Sequence, residues 1–291
     1  LVEKPDSDGW GENFGFRSQV AQILIDKGLE QKAYRYLDCG CKGYRLRCQG
    51  KERHEFFSAF HCDLRFCPSC APRRFAKLFK KHAPVLEHVR HETRPGFRLR
   101  EITLTSRNTG QLTREGIREF NKNVKKTVQR LVGRLRGWGA IWVAEVGFNN
   151  TNLHAHVLVY GPYIEQERLA ATWQEVSGNQ VAWIQQASFR GPKALLHLLK
   201  YVSKPPSDKP EILGQLEVAF HGTRRVHAIG AFFSFAVTEE ELGQTDWLVC
   251  PKCGAKLMVL PDRRMIVDLQ AEGLTSIGEF WPRSKTKNWV N

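Results

Sequence analysis

A chain of 291 residues with 42% hydrophobic and 11% aromatic content is long enough to bury one main core and to carry smaller modules beside it. No apolar run approaches a membrane span: the longest, 228–237, contains Gly230 and Ser234 and is far too short. The net charge of +14, from 44 basic and 30 acidic residues, favours a polyanionic partner, nucleic acid before others. Glu3, Lys4, Asp6 and Asp8 rule out a secretory signal at the start, so a cytoplasmic location is expected.

Residues 1–38 form an N-terminal helical segment, with a helix over about 18–37 built on Val20, Ile23, Leu24, Ala33 and Leu37 and interrupted near Gly28. Residues 39–95 read as a zinc-binding module followed by a basic helix. Six of the eight cysteines stand there, Cys39, Cys41, Cys48, Cys62, Cys67 and Cys70, and the remaining two are Cys250 and Cys253. Without an export signal disulfides explain them poorly. The C-x-x-C spacings of Cys67–Cys70 and Cys250–Cys253 let two thiolates reach one tetrahedral zinc from a tight turn. Two structural zinc sites are expected. The preferred pairing is Cys48, Cys62, Cys67 and Cys70 in one and Cys39, Cys41, Cys250 and Cys253 in the other, with His54 and His61 as alternative ligands. From Pro72 a helix runs to about 89, with Phe75, Leu78, Phe79 and Leu86 inward. Arg73, Arg74 and Lys77 lie on its outer face as candidate phosphate contacts, although such a face is as often merely solvated.

Residues 96–106 read as a strand with Ile102 and Leu104 on one side and Glu101, Thr103 and Thr105 on the other. An amphipathic helix follows over about 113–136, then a strand over 140–146 ending near Glu145. The next strand, 152–160, carries His154 and His156 on one face, because side chains alternate along a strand. Two imidazoles so placed are ready metal ligands, with satisfied core histidines as the bland alternative. The Asn149-Asn150 stretch suggests a hairpin that sets Glu145 beside them, and a metal is one way to justify a carboxylate in an apolar strand. A helix over 163–177 and a strand over 180–187 come next. Pro192 then opens a helix that Pro205 stops, and His197, Tyr201 and Lys204 share one of its faces. Tyr201, between Lys200 and Lys204, is expected to be exposed in a positive field that favours its phenolate. Residues 205–210 read as a linker and 215–237 as strand-like, with Arg224 and Arg225 as further candidate DNA contacts. Arg283, Lys285 and Lys287 make the tail basic, and no Walker loop is present.

Taken in order, these stretches resemble rolling-circle replication initiators, the Rep proteins of plasmids and phages in the single-tyrosine class of the HUH endonuclease superfamily. Glu101-Ile-Thr-Leu-Thr-Ser106 is similar to the family's first motif. The run from Glu145 through Leu153-His-Ala-His-Val-Leu-Val159 is similar to its metal motif, and Leu199-Lys-Tyr-Val-Ser-Lys204 to its nucleophile motif. Arg65-Phe-Cys-Pro-Ser-Cys70 is similar to a cysteine motif upstream of the catalytic domain in many members. Two departures stand out: Ala155 is small where a bulky apolar residue is usual, and His197 holds a position where some members carry a glutamate.

The resemblance implies an α+β fold, a central antiparallel sheet with flanking helices, with the zinc-binding module added to it. The catalytic domain would span 96–206, and 207–291 would be a C-terminal region holding a zinc knuckle and the basic tail. It further implies that His154, His156 and Glu145 hold Mg²⁺ or Mn²⁺, that Tyr201 is the nucleophile, and that Lys204 and Lys200 stabilise developing charge. The implied partners are single-stranded DNA or a hairpin at a replication origin and a host helicase, with no membrane. A rolling-circle transposase would use the same site, and a non-catalytic zinc-finger DNA-binding protein would account for the cysteines and charge alone.

Overall fold

The strand that carries the two histidines lies at the centre of a five-stranded antiparallel sheet in the computed structural model, which describes residues 13–91, 95–107, 112–133, 136–147, 152–189, 191–204, 206–234, 236, 250, 252–259 and 266–268. The strands are β3 (Arg98–Thr105), β4 (Gly139–Val146), β5 (Leu153–Gly161), β6 (Ala182–Gln186) and β7 (Val226–Gly230), in the order β6-β3-β5-β4-β7. Helices cover both faces, so the two central strands are apolar along most of their length. On the back, α4 (Arg114–Val132) and α5 (Gln166–Ser177) set Ile117, Val124, Val128 and Trp173 against Ile102, Leu104, Ala155 and Val157. On the front, α3 (Ala71–His91) and α6 (Pro192–Ser203) set Leu86, Leu195 and Leu199 against Ile141, Val143 and Leu158. Each of the valines, leucines and isoleucines so removed from water contributes about 1.5–3 kcal/mol. In the back core the Trp142 Nε1–H donates to Asn121 Oδ1 at 2.9 Å.

A second sheet is built from both ends of the chain. The hairpin β1 (Lys42–Cys48) and β2 (Glu55–Ala59) is joined on the other edge of β1 by β8 (Leu257–Val259) and β9 (Ile266–Asp268). Cys48 pairs with Leu257 and Tyr44 with Ile266, so the C-terminal knuckle completes the N-terminal hairpin. Leu46, Phe56, Cys250 and Leu257 make its small core.

Several local expectations need correction. The N-terminal helix is two, α1 (Asn13–Asp26) and α2 (Glu30–Leu37), parted by Gly28 in the left-handed region at φ +71°. The strand-like reading of 215–237 gives way to a helix, α7 (Pro210–Ala219), then β7, then a short helix, α8 (Ala231–Ser234). Pro210 opens α7, and Leu213, Leu216 and Ala219 recur at helical spacing on its buried side. The five-stranded sheet thus takes its fifth strand from beyond 206. Asn149, Asn150, Pro205 and the tail with Arg283, Lys285 and Lys287 lie outside the described residues. Among the described residues no helix is long and apolar enough to cross a membrane.

Candidate active site and cysteine clusters

Strand pairing sets the geometry of the front face. His154 pairs with Thr105 on one side and Glu145 on the other, and His156 pairs with Thr103 and Val143. Paired residues point to the same face, so Thr105, His154 and Glu145 form one row and Thr103, His156 and Val143 the next. His154 Nδ1 lies 3.0 Å from Thr105 Oγ1, leaving its Nε2 to act as a ligand atom. His156 Nε2 lies 2.8 Å from Glu145 Oε2. Helix α6 passes over this corner and lays the Tyr201 ring on His156, centroids 3.6 Å apart and planes 2° from parallel.

Around this stack the charges alternate. Lys204 Nζ stands 3.8 Å from Glu145 Oε1. His197 bridges Lys200 and Glu101, with Nε2 at 2.8 Å from Lys200 Nζ and Nδ1 at 3.4 Å from Glu101 Oε1. Lys200 Nζ also sits 4.9 Å from the centre of the Tyr201 ring. Glu101, Thr103, His156, His197 and Tyr201 line a small cleft here. Glu101 and Thr105 were legible only as residues sharing a strand face; their contacts with His197 and His154 depend on register and helix placement.

Burial shapes the titration of the site. It pushes the Glu145 carboxyl up, but the hydrogen bond and charge of His156, with Lys204 and His154 behind them, outweigh it and hold the group below its ordinary value. Burial holds His154 below the usual imidazole range against the pull of Glu145. Tyr201 departs from expectation: it is partly buried, and burial, then the Glu145 and Glu101 carboxylates, push its phenol up. The flanking lysines do not make a phenolate here. Burial, with the two carboxylates behind it, prevails, since Lys200 and Lys204 are both exposed.

The cysteines gather into two clusters, differently paired from the sequence expectation. Cys39, Cys62, Cys67 and Cys70 form the first, with Sγ–Sγ distances of 3.7 Å (39–67), 3.5 Å (39–70) and 3.7 Å (62–70). Four thiolates on a tetrahedral zinc would stand about 3.8 Å apart, given Zn–S bonds near 2.3 Å. Cys48, His54, Cys250 and Cys253 form the second, with Cys48 Sγ 3.8 Å from Cys253 Sγ and Cys250 Sγ 3.4 Å from His54 Nδ1. Cys39 and Cys48 therefore exchange places relative to the expected pairing, and His54 stands in for Cys41. The cause is the direction of β1. Its start is bonded to the end of β2 through Gly40 N–H to Phe60 O, which brings Cys39 beside Cys62, and its far end carries Cys48 to the hairpin turn. Cys41 instead receives a hydrogen bond from Arg17 Nη1 at 3.3 Å. His61 Nδ1 lies 3.8 Å from Cys70 Sγ, at the rim of the first cluster. Each cluster could hold a metal ion such as zinc.

The basic candidates separate into two kinds. Lys77 and Arg224 are exposed. Arg73 lies 3.7 Å from Asp63. Arg225 is corrected, since it serves the interior, and Arg74 is half-buried. Arg74 donates to the carbonyls of Leu64 and Arg65. Arg225 is 3% exposed and donates to the carbonyls of Tyr201 and Val202. A buried guanidinium committed to backbone carbonyls cannot meet a phosphate.

Comparison with known proteins matches the chain over residues 53–250 to a family described as "Replication protein". A "Protein rep" from Staphylococcus aureus is 25% identical over 206 residues, which cover 65% of this chain and 89% of that protein. No solved structure matches. The matched span takes in the whole five-stranded sheet, the tyrosine helix and three ligands of the first cysteine cluster. The chain belongs to the replication-protein family, as a Rep protein of the rolling-circle initiator kind that its motifs resemble.

Proposed function

We propose that this replication initiator nicks and rejoins single-stranded DNA through a 5′-phosphotyrosine bond on Tyr201. The observation that carries the reading is the stack of Tyr201 on His156, with Glu145 hydrogen-bonded to the same imidazole. Among the described residues these elements bring a phenol hydroxyl onto the face that carries two imidazoles and one carboxylate.

His154, His156 and Glu145 would hold a divalent cation, and their mixed nitrogen and oxygen donors suit Mn²⁺ or Mg²⁺. Thr105 on His154 Nδ1 orients that ring, as a supporting contact does for a metal ligand. When bound, such an ion supplies electrophilic polarisation of the scissile phosphate. The chain's own residues do the rest. Tyr201 Oη forms a bond to phosphorus as the bond from phosphorus to the 3′-oxygen breaks; the phenol gives up its proton and the leaving 3′-hydroxyl gains one. Lys204 and Lys200 offset the negative charge that builds on the phosphate and phenol oxygens. His197 holds Lys200 in place against Glu101. The covalent bond keeps the phosphodiester energy, so rejoining needs no nucleotide cofactor.

Zinc at both cysteine clusters would be structural, because the chain fills four ligand positions in each. Exposed Lys77 and Arg224, with Arg73, are the proposed phosphate contacts. The DNA would be a single strand or hairpin at a replication origin, opened with the help of a host helicase. The family match favours replication over transposition, and a purely DNA-binding zinc protein leaves the Tyr201, His156 and Glu145 arrangement without a purpose. The test is a labelled origin oligonucleotide with Mn²⁺: wild type forms a covalent adduct, and His154→Ala binds DNA without cleaving it. An adduct in Tyr201→Phe would sink the reading.

A further inference from the structure

Glu217 and Arg225 are 4% and 3% exposed, and nothing in the chemistry above uses either. A buried charge is costly unless fully engaged. Both are engaged with one short loop, Leu64, Arg65 and Phe66, which lies between two ligands of the first cysteine cluster, Cys62 and Cys67. Glu217, on α7, accepts the N–H groups of Arg65 at 2.8 Å and Phe66 at 2.5 Å. Arg74, on α3, donates to the carbonyls of Leu64 and Arg65. Arg225 reaches the Arg65 carbonyl at 3.2 Å, with its guanidinium carbon 4.5 Å from the centre of the Phe66 ring. The loop is thus gripped on its donors and its acceptors at once.

The other donors of Arg225 point into the active-site scaffold. Nη2 bonds the Tyr201 carbonyl at 2.7 Å, Nη1 the Val202 carbonyl at 3.1 Å, and Nε the Ala144 carbonyl at 3.4 Å. The Arg225 carbonyl in turn accepts the Ala144 N–H at 2.8 Å. Helix α6 ends at Ser203, so the carbonyls of Tyr201 and Val202 belong to a last turn with no donors within the helix. A guanidinium there satisfies two of them and suits the negative end of the helix dipole. Ala144 directly precedes Glu145. One side chain therefore ties the helix turn that bears Tyr201 to the strand that bears Glu145 and to the cysteine-cluster loop.

We propose that Arg225 is a positioning residue for the nucleophile: it sets Tyr201 over His156, taking its reference from the loop between Cys62 and Cys67. This rests on the reading of Tyr201 as the nucleophile. A lysine cannot replace it, because a single ammonium has three donors on one atom and cannot span carbonyls from three elements, whereas the guanidinium presents five in a fixed fork.

The test uses the full chain with Arg225→Lys, and fluorine NMR of 3-fluorotyrosine placed at position 201. The lysine variant is expected to keep its zinc content and cooperative melting and to bind the oligonucleotide as wild type does. Once bound, it should cleave about 100-fold more slowly, the scale set by a misplacement near 1 Å. The fluorine resonance should shift or split. A merely structural role leaves the rate and resonance of the folded protein unchanged, and that result overturns the proposal. If Arg225→Lys does not fold, Glu217→Gln loosens the same loop and should move the fluorine resonance; an unmoved resonance there overturns it equally. An adduct in Tyr201→Phe would refute the nucleophile reading alone, and the fluorine experiment would still decide whether Arg225 places residue 201.

Discussion

His156 and Tyr201 lie face to face, ring centroids 3.6 Å apart, while the His156 Nε2 is already committed to Glu145 at 2.8 Å. The imidazole thus meets the carboxylate along its edge, where the two would share a cation, and gives the phenol a floor on its face. Replacing it by glutamine keeps a polar partner for Glu145 but removes both the flat surface and the imidazole donor proposed for the cation. We expect His156→Gln to retain single-stranded DNA binding and to lose about 100-fold or more in single-turnover cleavage, the scale of a misoriented nucleophile. Gel-shift and adduct assays on the same oligonucleotide separate the two effects.

The cysteine pairing makes a counting prediction. Cys39→Ser and Cys48→Ser should each lose one equivalent of zinc, and the double variant both, because the two residues belong to different clusters. Cys41→Ser should lose none, since Cys41 bonds Arg17 outside either cluster. Metal analysis of the purified proteins checks this, and a double variant that still keeps one zinc would refute the assignment.

His82 gives a pH dependence of stability. It is 4% exposed, its Nδ1 has no hydrogen-bond partner among the described residues, and burial lowers its pKa from 6.5 to about 4. The folded state therefore resists protonation that the unfolded chain accepts. Its contribution is fully present above the unfolded value of 6.5 and is lost as pH falls toward 4, reaching about 3 kcal/mol at most. Urea unfolding of wild type and His82→Leu at pH 7.5 and 5 should show the steeper loss in wild type. Equal slopes would mean that His82 is not the group responsible.

Gly230 ends β7 in the left-handed region at φ +60°, and a Cβ there would stand 2.3 Å from the Trp138 carbonyl oxygen. Neither the backbone strain nor the clash can be relieved by a side-chain rotation. Gly230→Ala should cost about 3 kcal/mol or more, at the upper end for single substitutions. A melting temperature within a degree or two of wild type would contradict this.

What the sequence made legible and what it hid divide along physical lines. Strand alternation alone put His154 and His156 on one face, and the short hairpin put Glu145 beside His154. Helical spacing put His197, Tyr201 and Lys204 on one side of α6. These are local periodicities, and they survive folding. The cysteine pairing failed because it depends on which end of β1 meets which loop, a fact set by pairing with β2, β8 and β9. Arg225 was misjudged because composition cannot distinguish a guanidinium facing water from one facing four carbonyls. The helix α7 was missed in part because Gly214 weakens it; the structure explains that glycine, since a Cβ there would lie 2.8 Å from Ile23 Cδ1 on the helix packed against it.

The joining of β8 to β1 has a bearing on how the molecule is made. Cys48 and Cys253, partners in one cluster, are 205 positions apart in the chain, whereas the first cluster closes within 31. A ribosome emitting the chain delivers the complete first cluster early, before any strand of the larger sheet. Cys48 and His54 must wait, half-furnished, until the knuckle emerges long after Tyr201. The second cluster therefore closes only after the five-stranded sheet has been delivered, and a chain cut short after β7 would keep every strand of that sheet but leave the hairpin of β1 and β2 unclasped.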